Sequence, residues 1–152
     1  MLQRVSHAAV EVEGQTVARI GAGLLALVAF TATDTERELL WMADKIRTIR
    51  IFPDAAGKMN RSVEDINGGI LVVSQFTLYG ELRKGTRPNF IRAAPAAQAE
   101  RLYQQFLQLL RERTHCTVAS GVFGALMNVA LTNAGPVTIL LEREAPNNAA
   151  SL

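Results

Sequence analysis

Apolar and polar positions along the chain change period several times, and each change marks an element. Val5 to Val12 includes alternating polar and apolar residues, the pattern of a half-buried strand. Glu13-Gly14-Gln15 reads as a turn and Thr16 to Ile20 as a second strand. Gly21-Ala22-Gly23 breaks the chain before the apolar run Leu24 to Phe30, which has the length of a buried strand. A helix follows. Thr33 and Glu36 stand at capping-box spacing, and Leu39, Met42, Ala43 and Ile46 recur at i, i+3, i+4 and i+7.

Thr48 to Phe52 looks like a short strand, and Pro53 to Gly57 like a turn. Asn67-Gly68-Gly69 is another turn, leading into a strand over Ile70 to Phe76. Gly80 to Pro88 is a polar, glycine-containing loop. Pro95 suits the first turn of a second helix, whose inner face would be Leu102, Tyr103, Phe106, Leu107 and Leu110. The last third reads as strands over Thr117 to Ser120, Met127 to Thr132 and Val137 to Leu141. Residues 145–152 are small and polar and are expected to form a disordered tail. Tight turns between strands, with only two helices, predict an α+β fold: an antiparallel, barrel-like β-sheet with two helices packed on one side.

Composition narrows the function classes. A chain of 152 residues has room for one domain with a real core, and 20% charged residues is ordinary for a soluble protein. No run of 18 apolar residues exists, so no membrane span is expected. The start has no basic segment followed by an apolar one, so a cytoplasmic location is expected. The single cysteine, Cys116, excludes an internal disulfide. A net charge of +2 permits a nucleic-acid partner without demanding one. The densest basic segment, Arg83-Lys84-Gly85-Thr86-Arg87, reads either as a solvated loop or as a contact for a nucleic-acid backbone.

Several chemistries are missing. There is no Gly-x-Ser-x-Gly elbow, no phosphate-binding glycine loop and no Cys/His cluster, so neither a metal nor another cofactor is expected. His7 and His115 are isolated, and Cys116 is expected in the core. Two segments remain. In Ser74-Gln75-Phe76-Thr77 an apolar strand runs straight into polar residues, either for binding and catalysis or for local hydrogen bonds. Asn133-Ala134-Gly135-Pro136-Val137-Thr138 has the residues of a hairpin turn, although Gly-Pro between two strands is unusual.

Together these segments resemble the D-aminoacyl-tRNA deacylase family of the D-tyrosyl-tRNA deacylase type, which carries Ser-Gln-x-Thr and Asn-x-Gly-Pro-x-Thr motifs. Similarity extends over most of the chain, including Gln3-Arg4-Val5, Arg50-Ile51-Phe52, Gly57-Lys58-Met59-Asn60, Arg83-Lys84-Gly85, Arg87-Pro88, and Phe123-Gly124-Ala125 with Met127. The chain starts a few residues later than is usual before Gln-Arg-Val. Leu126 and Ala134 stand where the family often has a polar residue and Asp.

The resemblance implies that residues 1–144 are a single catalytic domain acting as a homodimer on tRNA that carries a D-amino acid or glycine. It implies Ser74, Gln75, Phe76 and Thr77 as catalytic residues, and Gly135, Pro136, Asn133, Arg4, Phe123 and Met127 for substrate binding and chiral filtering. It further implies a cis Gly-Pro bond that reaches into the partner's site, held by Arg4. Arg83, Lys84 and Arg87 are candidates for the tRNA backbone. Thr77 is read first as a positioning group, because no base is evident for it, and a Thr77 nucleophile stays open as the alternative. An oxyanion would be met by backbone N–H groups near Gln75, Phe76 and Thr77. The ribose 2′-hydroxyl would assist. Two alternatives stay open: an editing domain that removes wrong L-amino acids from tRNA, and a non-catalytic RNA-binding dimer.

Overall fold

The computed structural model describes residues 1–145. The chain runs β1 (Leu2–Val12), β2 (Gln15–Ile20), β3 (Gly23–Val28), α1 (Glu36–Thr48), β4 (Phe52–Pro53), β5 (Met59–Arg61), β6 (Gly69–Ser74), a 3-10 turn (Phe76–Tyr79), α2 (Ala96–Arg113), β7 (Thr117–Ser120) and β8 (Met127–Ile139). The main sheet has six strands. Its path is β2-β1-β3-β6-β7, with β8 added on β1, while β4 and β5 form a separate ribbon.

The α+β class and the two helices match the expectation, but the sheet is mixed rather than antiparallel. β3 and β6 run parallel, and so do β6 and β7. The reason lies in the connections. The segments β3-to-β6 and β6-to-β7 each contain one long helix, and such a crossover returns the next strand in the same direction. The near-continuous burial of Leu24–Ala26 and Ile70–Val73 is what a strand covered on both faces requires.

Those two faces serve two cores. Leu25, Leu71 and Val73 point into the curled sheet with Val5, Ala8 and Val10. Leu24, Ala26, Ile70 and Val72 point outward to α1 and α2, meeting Leu39, Ala43, Tyr103 and Phe106. Gly23 and Gly69 open the parallel pair side by side. A Cβ on Gly23 would stand 1.9 Å from the Gly69 carbonyl oxygen, so only glycine lets the strands meet there.

Several boundaries differ from the reading of the sequence. β1 begins at Leu2 rather than Val5, paired with Ala26 of β3. The helix box is formed by Thr35 and Glu38, not Thr33 and Glu36: the Glu38 carboxylate accepts the Thr35 N–H at 3.0 Å and its hydroxyl at 2.6 Å. Thr31 and Asp34 bind each other instead and leave the helix to start later. Thr48 closes α1 rather than opening a strand. The strand after Gly69 stops at Ser74, and Phe76 begins the 3-10 turn. The proposed tail begins at Ala145, and residues 146–152 lie outside the described residues.

Candidate functional site

β6 is buried from Ile70 to Val73, and Ser74 emerges at its end. The Gln75 N–H continues the ladder, donating to the Val28 carbonyl at 2.7 Å. The chain then tightens into the 3-10 turn, with Leu78 N–H on Gln75 O at 3.2 Å and Gly80 N–H on Thr77 O at 2.9 Å. The amides of Phe76 and Thr77 precede the first hydrogen bond of the turn, which supplies them no acceptor. Of the three amides expected to meet an oxyanion, Gln75 is therefore already committed to Val28.

Beside this turn lies an open groove of about 610 Å³. It gathers Ser74, Gln75 and Phe76 with Phe123 and Met127, five of the residues expected from sequence. It also contains Phe90, Ala94 and Ala125, which sequence reasoning missed. Phe90 meets Phe76 edge to face with ring centroids 5.1 Å apart. Behind the groove, the buried Tyr103 hydroxyl donates to the Val72 carbonyl at 3.0 Å, and its ring lies 5.8 Å from Phe123. Burial pushes the Tyr103 phenol up to about 12, so it stays neutral as a donor. Helix α2 thereby fixes both the strand end and the groove wall. Thr77 does not line the groove. Its exposed hydroxyl accepts a hydrogen bond from the Gln75 amide nitrogen.

No ionisable side chain lines this groove among the described residues. That limits what its walls can do. They can position an ester, exclude water from one side and offer backbone N–H groups, but they contain no general base.

The second motif is placed elsewhere. Asn133–Thr138 is not a hairpin turn, because β8 continues through it to Ile139. Two steps of β1, Val5 to Gln3, face five steps of β8, Asn133 to Thr138, so the residues between them leave the ladder. Gly135 and Pro136, joined by a cis bond, are exposed on this protrusion. Asn133 ties its base: its side-chain oxygen accepts the Val137 N–H at 2.6 Å, and its amide donates to Val137 O at 3.1 Å and Thr138 Oγ1 at 3.0 Å. Arg4 supports it from below, with Nε on the Ala134 carbonyl at 2.8 Å and Nη1 on the Ile51 carbonyl at 2.7 Å. Gly135 has φ +143°, and a Cβ there would stand 2.8 Å from Arg4 Nη2.

None of Arg4, Asn133, Gly135 or Pro136 lines the groove. Ser74 pairs with Val28 of β3, whereas Val5, beside Asn133, pairs with Gly23. Five strand residues separate those partners, roughly 16 Å. Within one chain the two motifs therefore lie apart.

Arg83, Lys84 and Arg87 are exposed in the loop after the 3-10 turn. Arg83 pairs with Glu81 at 3.0 Å. An isolated Glu81–Asn89 bridge closes the loop just before Phe90 enters the groove, so this basic segment hangs at the groove's edge. Cys116 is buried, as expected. His7 binds Ser6 and Thr132 on the outer surface, each at 3.2 Å. No group of three His, Cys, Asp or Glu side chains could hold a metal ion among the described residues. No helix there is long and apolar enough to cross a membrane.

Comparison with known proteins gives a consistent result. A family model described as D-Tyr-tRNA(Tyr) deacylase matches residues 1–142. The chain is 55% identical over 145 residues to the D-aminoacyl-tRNA deacylase of Acaryochloris marina (strain MBIC 11017), covering 95% of each. It is 54% identical over 142 residues to that of Chloroherpeton thalassium (strain ATCC 35110 / GB-78), covering 93% of each. Among solved structures it is similar to a c-Myc DNA unwinding element binding protein, with TM-score 0.90 and 43% identity over 95% of this chain and 97% of the other. A probable eukaryotic D-amino acid tRNA deacylase shares the fold, with TM-score 0.74 and 22% identity over 89% of this chain and 93% of that one.

Proposed function

Because the chain belongs to the D-Tyr-tRNA(Tyr) deacylase family, we propose that it hydrolyses the ester of D-aminoacyl-tRNA, releasing the free D-amino acid and tRNA. The observation that carries this reading is the groove at the end of β6, which pairs motif residues with walls that hold no ionisable side chain. An aminoacyl ester is already activated, so it needs placement and oxyanion stabilisation rather than a strong base.

In this reading the substrate carbonyl lies against the amides of Phe76 and Thr77. Water adds to the carbonyl carbon, the oxyanion is met by those N–H groups, and collapse breaks the bond to the ribose 3′-oxygen. The proton that the attacking water gives up passes through the neighbouring 2′-hydroxyl to the leaving 3′-oxygen. Gln75 and Thr77, bonded to each other, hold the rim. Phe123 and Met127 form the apolar wall. Ser74 closes the floor at the strand end.

Chiral selection is assigned to Gly135 and Pro136. Their carbonyls stand where an L side chain would project, a D side chain points away, and glycine has nothing to exclude. Since these residues lie outside their own chain's groove, residues 1–144 act as one catalytic domain whose filter enters the groove of a second copy. The active particle is a cytoplasmic homodimer of twice the 16.5 kDa chain mass. Arg83, Lys84 and Arg87 meet the tRNA backbone.

The test is deacylation of D-Tyr-tRNA, L-Tyr-tRNA and Gly-tRNA by one preparation. Rapid cleavage of the D and Gly substrates, with L-Tyr-tRNA spared, supports the reading. Gly-tRNA as inert as L-Tyr-tRNA contradicts selection by exclusion. A second reading, nucleic-acid binding without catalysis, is favoured by the name of the structure at TM-score 0.90. Tight binding of tRNA with no hydrolysis of any of the three esters would support it.

A further inference from the structure

The Gly57-Lys58-Met59-Asn60 segment has no part in the chemistry above, yet the fold connects it to the Gly-Pro tip. Arg4 grips Ala134 with Nε and, with Nη1, the Ile51 carbonyl, one residue before β4. The β4–β5 ribbon therefore starts next to the residue that Arg4 ties to the tip. Its turn is built rigidly. The Asp54 carboxylate accepts the N–H groups of Ala56 at 2.8 Å and Lys58 at 2.9 Å, and the Asn60 side-chain amide at 2.8 Å. Those bonds hold the Asp54 carboxyl below its usual range, the Asn60 bond most of all.

The one acid of the ribbon, Asp54, is thus occupied within its own turn, while the ribbon's cations face solvent. Lys58 and Arg61 are exposed, and Arg61 spends only one nitrogen, donating to the Asp65 carbonyl at 2.6 Å. Between them Met59 is 54% exposed, an apolar side chain with about half of its surface open to solvent. A cation, a thioether and a cation in series, on a rigid turn, suit a single strand of nucleic acid. The cations take phosphates and the polarizable sulfur takes the face of a base.

We propose that the β4–β5 ribbon holds the single-stranded 3′ end of the tRNA whose ester lies in the partner subunit's groove, with Lys58 and Arg61 on phosphates and Met59 against a base. The proposal rests on the deacylase reading and on delivery of Gly135-Pro136 to a second copy. A tip that reaches the amino acid brings its ribbon to the nucleotides just before it. One subunit thus supplies both the filter and a grip on the strand, and the other supplies the groove.

Two substrates separate this contact from a merely structural role: D-Tyr-tRNA, and D-tyrosine esterified to adenosine alone, which has no phosphates. The Lys58→Ala/Arg61→Ala protein should lose about tenfold in kcat/KM on the tRNA and nothing on the adenosine ester. The dependence of log kcat/KM on log salt should flatten by roughly 0.7 for each phosphate contact removed from a single strand. Met59→Ala should raise KM for the tRNA and spare the adenosine ester. Equal losses on both substrates would mean that the ribbon only steadies the tip, and would overturn the proposal. So would unchanged kinetics on both. If the unsubstituted protein cleaves neither substrate, the deacylase reading itself fails, and this inference with it.

Discussion

The groove at the end of β6 and the tip on β8 carry the two motifs of the chain, and the fold treats them in opposite ways. The groove is anchored from within. β6 is covered on both faces, Tyr103 holds its Val72 carbonyl, and the walls are apolar. The tip is anchored from below and open above. Arg4 and Asn133 fix its base, while Gly135 and Pro136 face solvent. One region is a cavity that its own tip does not reach, and the other is an exposed projection with no cavity of its own. Large exposed apolar side chains fit the same division: Phe76 is 55% exposed beside the groove and Leu126 94% exposed near its wall.

Substitution at the tip should have the largest effect. Gly135→Ala forces a Cβ to within 2.8 Å of Arg4 Nη2 at a φ that L residues avoid, so the backbone must move. A displacement near 1 Å at a reacting centre costs about 100-fold. Kinetics of D-Tyr-tRNA and L-Tyr-tRNA should show that loss, together with poorer discrimination, while the melting temperature stays close to the parent's. Unchanged discrimination would remove the tip from the selection step.

Arg4→Ala attacks the support instead. It deletes charged hydrogen bonds to Ala134 and Ile51, each worth about 1.5–3 kcal/mol in general. Urea unfolding should show a loss of about 3 kcal/mol, the lower end for two such bonds, and activity should fall by about tenfold. A stable protein with full activity would mean that the tip holds itself.

Tyr103→Phe tests the groove's anchor. It removes one of two donors to the Val72 carbonyl, which keeps the Gly121 N–H at 2.9 Å, at a cost of about 0.5–1.5 kcal/mol. It also removes an alkaline sensitivity. The phenol is raised in the folded state to about 12 from its usual 10.0, so its stabilising share is complete below pH 10 and is lost as pH climbs toward 12. Denaturation between pH 9 and pH 11 should show the parent weakening and the variant steady.

Asp44→Asn lies in neither region and should do least. Asp44 binds Arg113 of α2 at 2.7 and 2.8 Å and Arg47 at 2.9 Å, at the half-exposed helix pair. Those bonds, the Arg113 one first, hold its carboxyl below the usual 3.8. Its contribution is therefore full above that pH and fades as the pH falls further. The variant should lose about 0.5–1 kcal/mol at neutral pH, with catalysis intact, and show a flatter acid limb.

The two regions were also unequally legible in the sequence. Ser74–Thr77 announced itself because an apolar strand stopped on polar residues. Phe90 and Ala94 did not, since they reach the groove from an irregular stretch with no period. Asn133–Thr138 looked like a turn because Asn, Gly and Pro form turns locally, and only the ladder with β1 reveals a strand that bulges and resumes. The parallel order of β3, β6 and β7 was encoded in the unbroken apolar runs at Leu24 and Ile70. The tight turns elsewhere in the chain, which favour antiparallel pairing, masked it. The spacing of Thr33 and Glu36 was as good as that of Thr35 and Glu38. What decided between them was Asp34, which binds Thr31 and keeps the chain out of the helix until Thr35.

Subunit mixing tests most directly whether groove and tip belong to different copies. One chain carries Ala125→Trp, which fills its groove, and the other carries Gly135→Ala, which spoils its tip. Each alone should be inactive on D-Tyr-tRNA. In the mixed dimer the open groove of one chain meets the intact tip of the other, so one site of two should work, at about half the parent's rate. A mixture as inactive as its components would contradict the account and return both motifs to a single chain.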